Sequence, residues 1–221
     1  MALIDNFKKL RASIPDHVKV VAVSKFNPGS SIELLYRETG LLDFGESRVQ
    51  ELLMKAPHLP SQLHGHFIGH LQTNKIRSLL PYTHLIHSVD SYRLLKEINR
   101  EAHRLEKTMN ILLQFHIGQE ETKYGLSLEE ACQLLEDKEF PAMKNIRICG
   151  VMGMASLTED LQQVRKEFAF LRRCFEQLKN DYFFTIDSFS ELSMGMSGDY
   201  QIAVEEGSTM VRIGSILFGD R

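Results

Sequence analysis

The chain has 221 residues, 43% hydrophobic and 25% charged, with a formal net charge of −3, which is the make-up of an ordinary globular protein able to bury a core. That charge excludes a surface built chiefly to neutralise nucleic-acid phosphates, and no run is apolar for long enough to span a membrane. Three widely spaced cysteines, Cys132, Cys149 and Cys174, exclude a disulfide framework or a zinc knuckle and make the cytosol the simplest compartment.

Met1 to Leu10 lacks the charged-then-apolar layout of a signal peptide and reads as a short amphipathic helix. Val18–Ser24 is a β-branched run and the first strand. Leu41–Phe44, His66–Ile68, His84–Val89 and Asn110–Ile117 are the second to fifth. Ile146–Met152, Ser190–Met194 and Thr209–Ile213 complete a set of eight. Amphipathic stretches fall between them. Ser91 caps a helix whose apolar positions are Leu94, Leu95, Ile98, Ala102 and Leu105, and Ser127 with Glu130 forms a capping box before Ala131, Leu134 and Leu135. From Thr158, the spacing of Leu161, Val164, Phe168, Leu171, Phe175 and Leu178 marks one face of a long helix. No linker or low-complexity tract interrupts the chain, so residues 1–221 are expected to form one domain. Alternating strands and helices imply a parallel sheet covered by helices, and eight units imply an α/β fold, a single (β/α)8 TIM barrel. An open doubly wound sheet is the other arrangement with this alternation, but the turn after the first strand carries a lysine where a glycine fingerprint would stand.

A barrel of this kind gathers its functional groups just after its strands. Those positions hold Ser24-Lys25, Gly45-Glu46-Ser47-Arg48, Gly69-His70, His87-Ser88-Val89-Asp90, Thr122-Lys123-Tyr124-Gly125, Gly153-Met154, Met194 to Asp199, and Gly214-Ser215. Lys25 ends an apolar strand, where burial would disfavour the ammonium and suit amine chemistry with an aldehyde; a lysine snorkelling from a strand end is the plainer reading. Arg212 sits between Val211 and Ile213 and, able only to donate, faces either a carboxylate such as Glu46 or Asp90 or a heterocyclic nitrogen. The glycine-rich turns after strands seven and eight would let backbone amides approach a phosphate, or are simply tight turns. His64, His66 and His70 lack the spacing of a metal site and read as packing and hydrogen-bonding groups. Met152, Met154, Met194 and Met196 gather near the predicted mouth as core filler.

Several ordered segments carry a resemblance. They are Ala22-Val23-Ser24-Lys25, Phe44 to Glu51, His66 to Lys75, Ile86 to Asp90, Leu192 to Tyr200 and Ala203 to Gly214. In these the chain resembles the pyridoxal phosphate homeostasis proteins (the YggS-like or PROSC family), related to the barrel domain of alanine racemase, from about residue 20 to the C-terminus. The resemblance implies pyridoxal 5′-phosphate (PLP) held as an internal aldimine on Lys25. It implies phosphate binding at Ser193, Met194 and Gly214, Arg212 facing the pyridine nitrogen, and His87 and Ser88 near the ring. The sequence departs from the family in carrying Ser47 where Asn is usual, which puts an amide contact at that point in doubt, and in a bulky Tyr124 between Lys123 and Gly125.

A protonated pyridine nitrogen makes the cofactor a strong electron sink, and an arginine does not supply that proton. Racemisation also needs acid–base groups on both substrate faces. Alanine racemases bring a tyrosine from a partner's C-terminal domain, whereas this chain ends at Arg221 soon after the eighth strand. The expectation is therefore a cytoplasmic, monomeric PLP carrier acting in PLP homeostasis with little or no turnover, serving PLP-dependent apo-enzymes or amino acids, with no resident metal. A low-activity amino-acid racemase is the alternative enzyme reading; a regulator that binds protein partners in a PLP-dependent way is a third.

Overall fold

The computed structural model describes residues 2–119 and 124–219. Thr122 and Lys123, placed by the sequence after the fifth strand, lie outside the described residues. Eight parallel strands close into a barrel in chain order. They are β1 (Lys19–Val23), β2 (Asp43–Glu46), β3 (His64–Phe67), β4 (Leu85–Val89), β5 (Met109–Phe115), β6 (Ile146–Gly153), β7 (Glu191–Ser193) and β8 (Met210–Ile213). Closure runs through β1 and β8, where Val21 pairs with Arg212 and Ala22 with Ile213. The fold is thus a (β/α)8 barrel rather than an open doubly wound sheet. Around it lie α1 (Ala2–Ala12), α2 (Gly29–Thr39), α3 (Val49–Lys55), α4 (Ile76–Leu79), α5 (Tyr92–Arg104), α6 (Leu128–Glu136), α7 (Leu161–Tyr182), α8 (Tyr200–Glu205) and α9 (Ser215–Phe218).

The helix starts follow from capping chemistry. Ser91 Oγ accepts from the Leu94 amide at 3.3 Å, and the Ser127–Glu130 box closes with bonds of 3.1 and 2.8 Å. The long helix begins at Leu161, not Thr158, because Asp160 caps it, accepting from the Gln162 and Gln163 amides at 2.9 and 3.2 Å. Leu105 falls just beyond α5 and is 38% exposed; its amide closes the last turn instead of its side chain joining the core.

Strand alternation divides the apolar side chains into two layers. Inside the barrel, Val21, Leu85, Leu112, Cys149, Met152 and Met210 form a plug. Outward-facing Val20, Ala22, Phe44, Val211 and Ile213 pack on α1 and α2, and Phe67, Ile111, Leu113, Phe115 and Leu192 pack on the helices opposite. Each Val, Leu, Ile, Phe or Met side chain among them, once buried, contributes about 1.5–3 kcal/mol. The cysteines are free, with Cys149 and Cys174 buried as small apolar groups and Cys132 partly buried.

Two strands differ from the sequence pattern for identifiable reasons. β2 runs on through Gly45 and Glu46, which look like loop residues. A Cβ on Gly45 would stand 3.0 Å from Val21 Cγ1, so glycine makes room for the plug, and the Glu46 charge is neutralised on the outer face by Lys55 at 2.7 Å. β6 carries a bulge at Gly150, whose φ of +151° would place a Cβ 1.8 Å from the Glu191 carbonyl oxygen. Among the described residues, no helix is long and apolar enough to cross a membrane.

Candidate functional site

β1 delivers Lys25 to the C-terminal mouth. Val21 points into the barrel. Ser24 points outward, donating to Glu46 Oε1 at 2.7 Å; Lys25 follows in the turn, partly buried, with its Nζ 5.2 Å from the centre of the Phe26 ring. Phe26 then adopts φ +65°, a left-handed conformation that costs an L-residue on the order of 1–2 kcal/mol. Its amide donates to Glu51 Oε2 at 2.7 Å, and the Arg48 guanidinium stacks 4.7 Å from its ring centre. These contacts fix the turn by which the chain leaves Lys25.

β8 delivers Arg212 from the neighbouring strand. Its guanidinium is buried and donates to the Ser193 carbonyl at 2.9 Å, to Ser193 Oγ at 2.7 Å and to the Gly153 carbonyl at 3.0 Å. Neither carboxylate suggested by the sequence is its partner. Glu46 faces the outer layer with Lys55 and Ser24, and Asp90 pairs with His70 at 3.5 Å. Burial pushes the Arg212 pKa down to about 10, with Asp199 opposing the shift, so the group stays cationic at neutral pH. With three of its roughly five N–H donors engaged, it has donors left for an acceptor on a ligand.

The turns after β7 and β8 meet beside it. Gly195, at φ +95°, accepts from the Arg212 amide at 2.9 Å, and a Cβ there would lie 2.6 Å from Ala203 Cβ. Ser197 Oγ accepts from the amides of Gly214 and Ile216 at 3.2 and 3.5 Å. Two backbone amides thus converge on one oxygen where β8 feeds α9, a donor set that suits a phosphate oxygen. Asp199 steadies this loop by accepting from the Met196 amide at 2.5 Å.

The remaining residues singled out in the sequence divide between inside and outside. Ser193 faces inward, its hydroxyl accepting from Arg212 and lying 3.1 Å from His87 Nδ1, while Met194 faces the outer core and its amide donates to the Met210 carbonyl at 3.1 Å. Of the two strand-end segments assigned to a phosphate, Gly214 therefore has its amide at the mouth, and Ser197 joins it. His87 is wholly buried inside the barrel, with Nδ1 3.1 Å from Ser193 Oγ. Ser88 points away from the interior and donates to the Gly69 carbonyl at 2.5 Å. Met152 belongs to the plug and Met154 and Met196 are exposed at the mouth, so the four methionines do not act as a group. His70 lies at the rim against the Tyr124 ring, 4.7 Å away.

Sequence reasoning passed over Asp43, gave Ser197 no role beyond its place in the glycine-rich loop after the seventh strand, and gave His66 only a generic packing and hydrogen-bonding role. Asp43 Oδ1 takes bonds from both His64 and His66 at 3.0 Å, and His66 Nδ1 lies 2.9 Å from His87 Nε2. Polar residues repeating at every second position of β3 are the one signal that pointed inward. A cavity of about 500 Å³ lies elsewhere, under α3, lined by Glu46, Leu52, Lys55, Gly65, His84 and Lys107. Its walls do not include Lys25 or Arg212, and we attach the chemistry to the mouth.

The family described as "Alanine racemase, N-terminal domain" matches residues 1–221. The Pyridoxal phosphate homeostasis protein of Aquifex aeolicus is 39% identical over 92% of this chain and 87% of its own length. That of Synechocystis is 37% identical over 97% of both chains. PipY of Synechococcus elongatus with PLP bound superposes with a TM-score of 0.85 at 32% identity, covering 98% of this chain and 100% of its own. An alanine racemase of Clostridium difficile shares the fold at a TM-score of 0.78 and 15% identity, and the match covers 60% of that longer chain.

Proposed function

This chain belongs to the alanine racemase N-terminal domain family, among the pyridoxal phosphate homeostasis proteins, and from that premise we propose that it binds PLP through a Schiff base on Lys25. The observation that carries the reading is the β1–β8 closure. It brings the end of β1, which Lys25 follows, beside the strand that bears a buried, cationic Arg212 and the amide-lined turn at Gly214. Lys25 would supply the amine that holds the aldehyde reversibly. Arg212 would donate to the ring nitrogen, the Gly214 and Ile216 amides with Ser197 would hold the phosphate, and His87, through Ser193, would support Arg212 from below.

PLP supplies an electron sink, and that sink is strongest when its ring nitrogen is protonated. Arg212 keeps its own proton, since even its lowered pKa of about 10 stays well above neutrality, so it stabilises an unprotonated nitrogen. That favours holding and releasing PLP over turning substrates over. We therefore read residues 1–221 as one monomeric, cytosolic carrier domain acting in PLP homeostasis, with PLP-dependent apo-enzymes as its recipients.

The test is an absorption spectrum of the purified chain with PLP, before and after borohydride, followed by peptide mapping. A visible band that borohydride fixes onto the Lys25 peptide is expected. A reducible adduct of equal occupancy in Lys25→Ala would refute the assignment. Arg212→Glu should allow nitrogen protonation and shift the band. Incubation with L-alanine should leave its chirality unchanged, whereas sustained racemisation would establish the enzyme reading instead.

A further inference from the structure

The barrel plug is crossed by an unbroken line of polar side chains from five different strands. Arg212 Nη1 lies 2.7 Å from Ser193 Oγ, and Ser193 Oγ lies 3.1 Å from His87 Nδ1. His87 Nε2 lies 2.9 Å from His66 Nδ1, and His66 Nε2 lies 3.0 Å from Asp43 Oδ1. Ser193, His87, His66 and Arg212 are each at most 3% exposed, and Asp43 is partly exposed at the opposite end of the barrel.

The two ends of the line fix its direction. A guanidinium only donates and an ionised carboxylate only accepts. Ser193 Oγ receives from Arg212 and still has its own proton to give to His87 Nδ1. His87 then carries its proton on Nε2 and gives it to His66 Nδ1. His66 in turn carries its proton on Nε2 and gives it to Asp43. With both rings neutral, every donor meets an acceptor only when both are Nε2–H tautomers. Either ring reversed alone sets two donors, or two acceptors, face to face in a buried site.

We propose that Asp43, His66 and His87 form a one-way tautomer relay whose task is to position Arg212 for the acceptor nitrogen of the cofactor. The task rests on the PLP reading above; the tautomers do not. Several charged and titratable groups surround the line. Arg212 lies above His87, and Asp199 acts on Arg212. Below, His64 shares Asp43, His84 stacks on His64 at 4.3 Å, and Lys19 is paired with Glu191. Burial, with His66 and Arg212 as neighbours, holds His87 well below its usual pKa.

The first experiment uses cofactor-free protein and ¹⁵N spectra of its histidine rings. His66 and His87 should each show an unprotonated Nδ1 and a protonated Nε2 at neutral pH. A protonated Nδ1 on either ring overturns the relay, whether or not the protein binds PLP. The second experiment compares affinity for PLP with that for 1-deaza-PLP, which lacks the acceptor nitrogen. His87→Leu breaks the line and should weaken PLP binding about tenfold, the scale of one charge-assisted hydrogen bond, and leave the deaza analogue unaffected. His87→Gln, which can still accept from Ser193 and donate to His66, should restore most of the loss. Equal weakening of both ligands, or no rescue by His87→Gln, assigns the residues to structure alone. If neither ligand binds the wild type, the PLP reading fails while the tautomer result stands.

Discussion

Replacing Arg212 by Met keeps the side-chain bulk and removes the guanidinium. The Ser193 carbonyl, the Ser193 hydroxyl and the Gly153 carbonyl then lose donors that now sit at 2.9, 2.7 and 3.0 Å. A buried acceptor left unpaired costs about 1–3 kcal/mol, so three give a ceiling of roughly 3–9 kcal/mol. Part is recovered because the guanidinium no longer has to be desolvated, a cost visible in its pKa drop to about 10. Hydrogen bonds to a charged group contribute about 1.5–3 kcal/mol each, so after that recovery a net loss of about 3–5 kcal/mol is expected. For a chain of 221 residues, each kcal/mol moves Tm by about 2–4 °C, so Tm should fall by about 6–20 °C. The assay is thermal unfolding followed by circular dichroism without PLP, so that loss of a ligand does not contribute. Arg212→Lys keeps the charge without the planar fork and should fall between wild type and Arg212→Met. A drop of less than about 3 °C for Arg212→Met would mean that the three acceptors do not depend on Arg212.

Stability should decline on acidification before the carboxylates titrate. Burial holds His84 at about 4 and His87 well below its usual range, so the unfolded chain takes up protons near pH 6.5 that the folded chain refuses. The contribution is complete above about pH 6.5 and is lost as pH falls toward 4; a urea midpoint that stays level from pH 7.5 to 5 contradicts it. Gly69→Ala would put a Cβ 2.0 Å from the Ser47 carbonyl oxygen and should cost at least about 3 kcal/mol. Gly40→Ala, at φ +72° but in open space, should cost only about 1–2 kcal/mol; equal midpoints in chemical denaturation would refute the distinction. Ser197→Ala should lower affinity for PLP about five- to tenfold and leave that for pyridoxal, which lacks the phosphate, unchanged. An equal loss for both in a spectrophotometric titration would move the phosphate elsewhere.

Much of this was legible in the chain because it is local. Apolar runs, the Ser91 and Ser127 caps and the three-four spacing from Leu161 follow from interactions within a few residues. Lys25 and Arg212 stood out because a charge at the end of an apolar strand, or within one, demands an explanation. Sequence alone also carried the family resemblance, since its motifs are ordered strings of residues. What it did not decide was which charges meet. Glu46 turned outward to Lys55 and Arg212 inward to Ser193, because alternation assigns a side to a residue only after the strand's end points are fixed, and β2 proved to run to Glu46 instead of stopping at Phe44. Asp43, His66, His87, Ser193 and Arg212 come from positions as much as 169 residues apart (212 − 43). Only closure of the barrel brings them within hydrogen-bond reach, and hydrogen bonds act over about 3 Å of space regardless of separation along the chain.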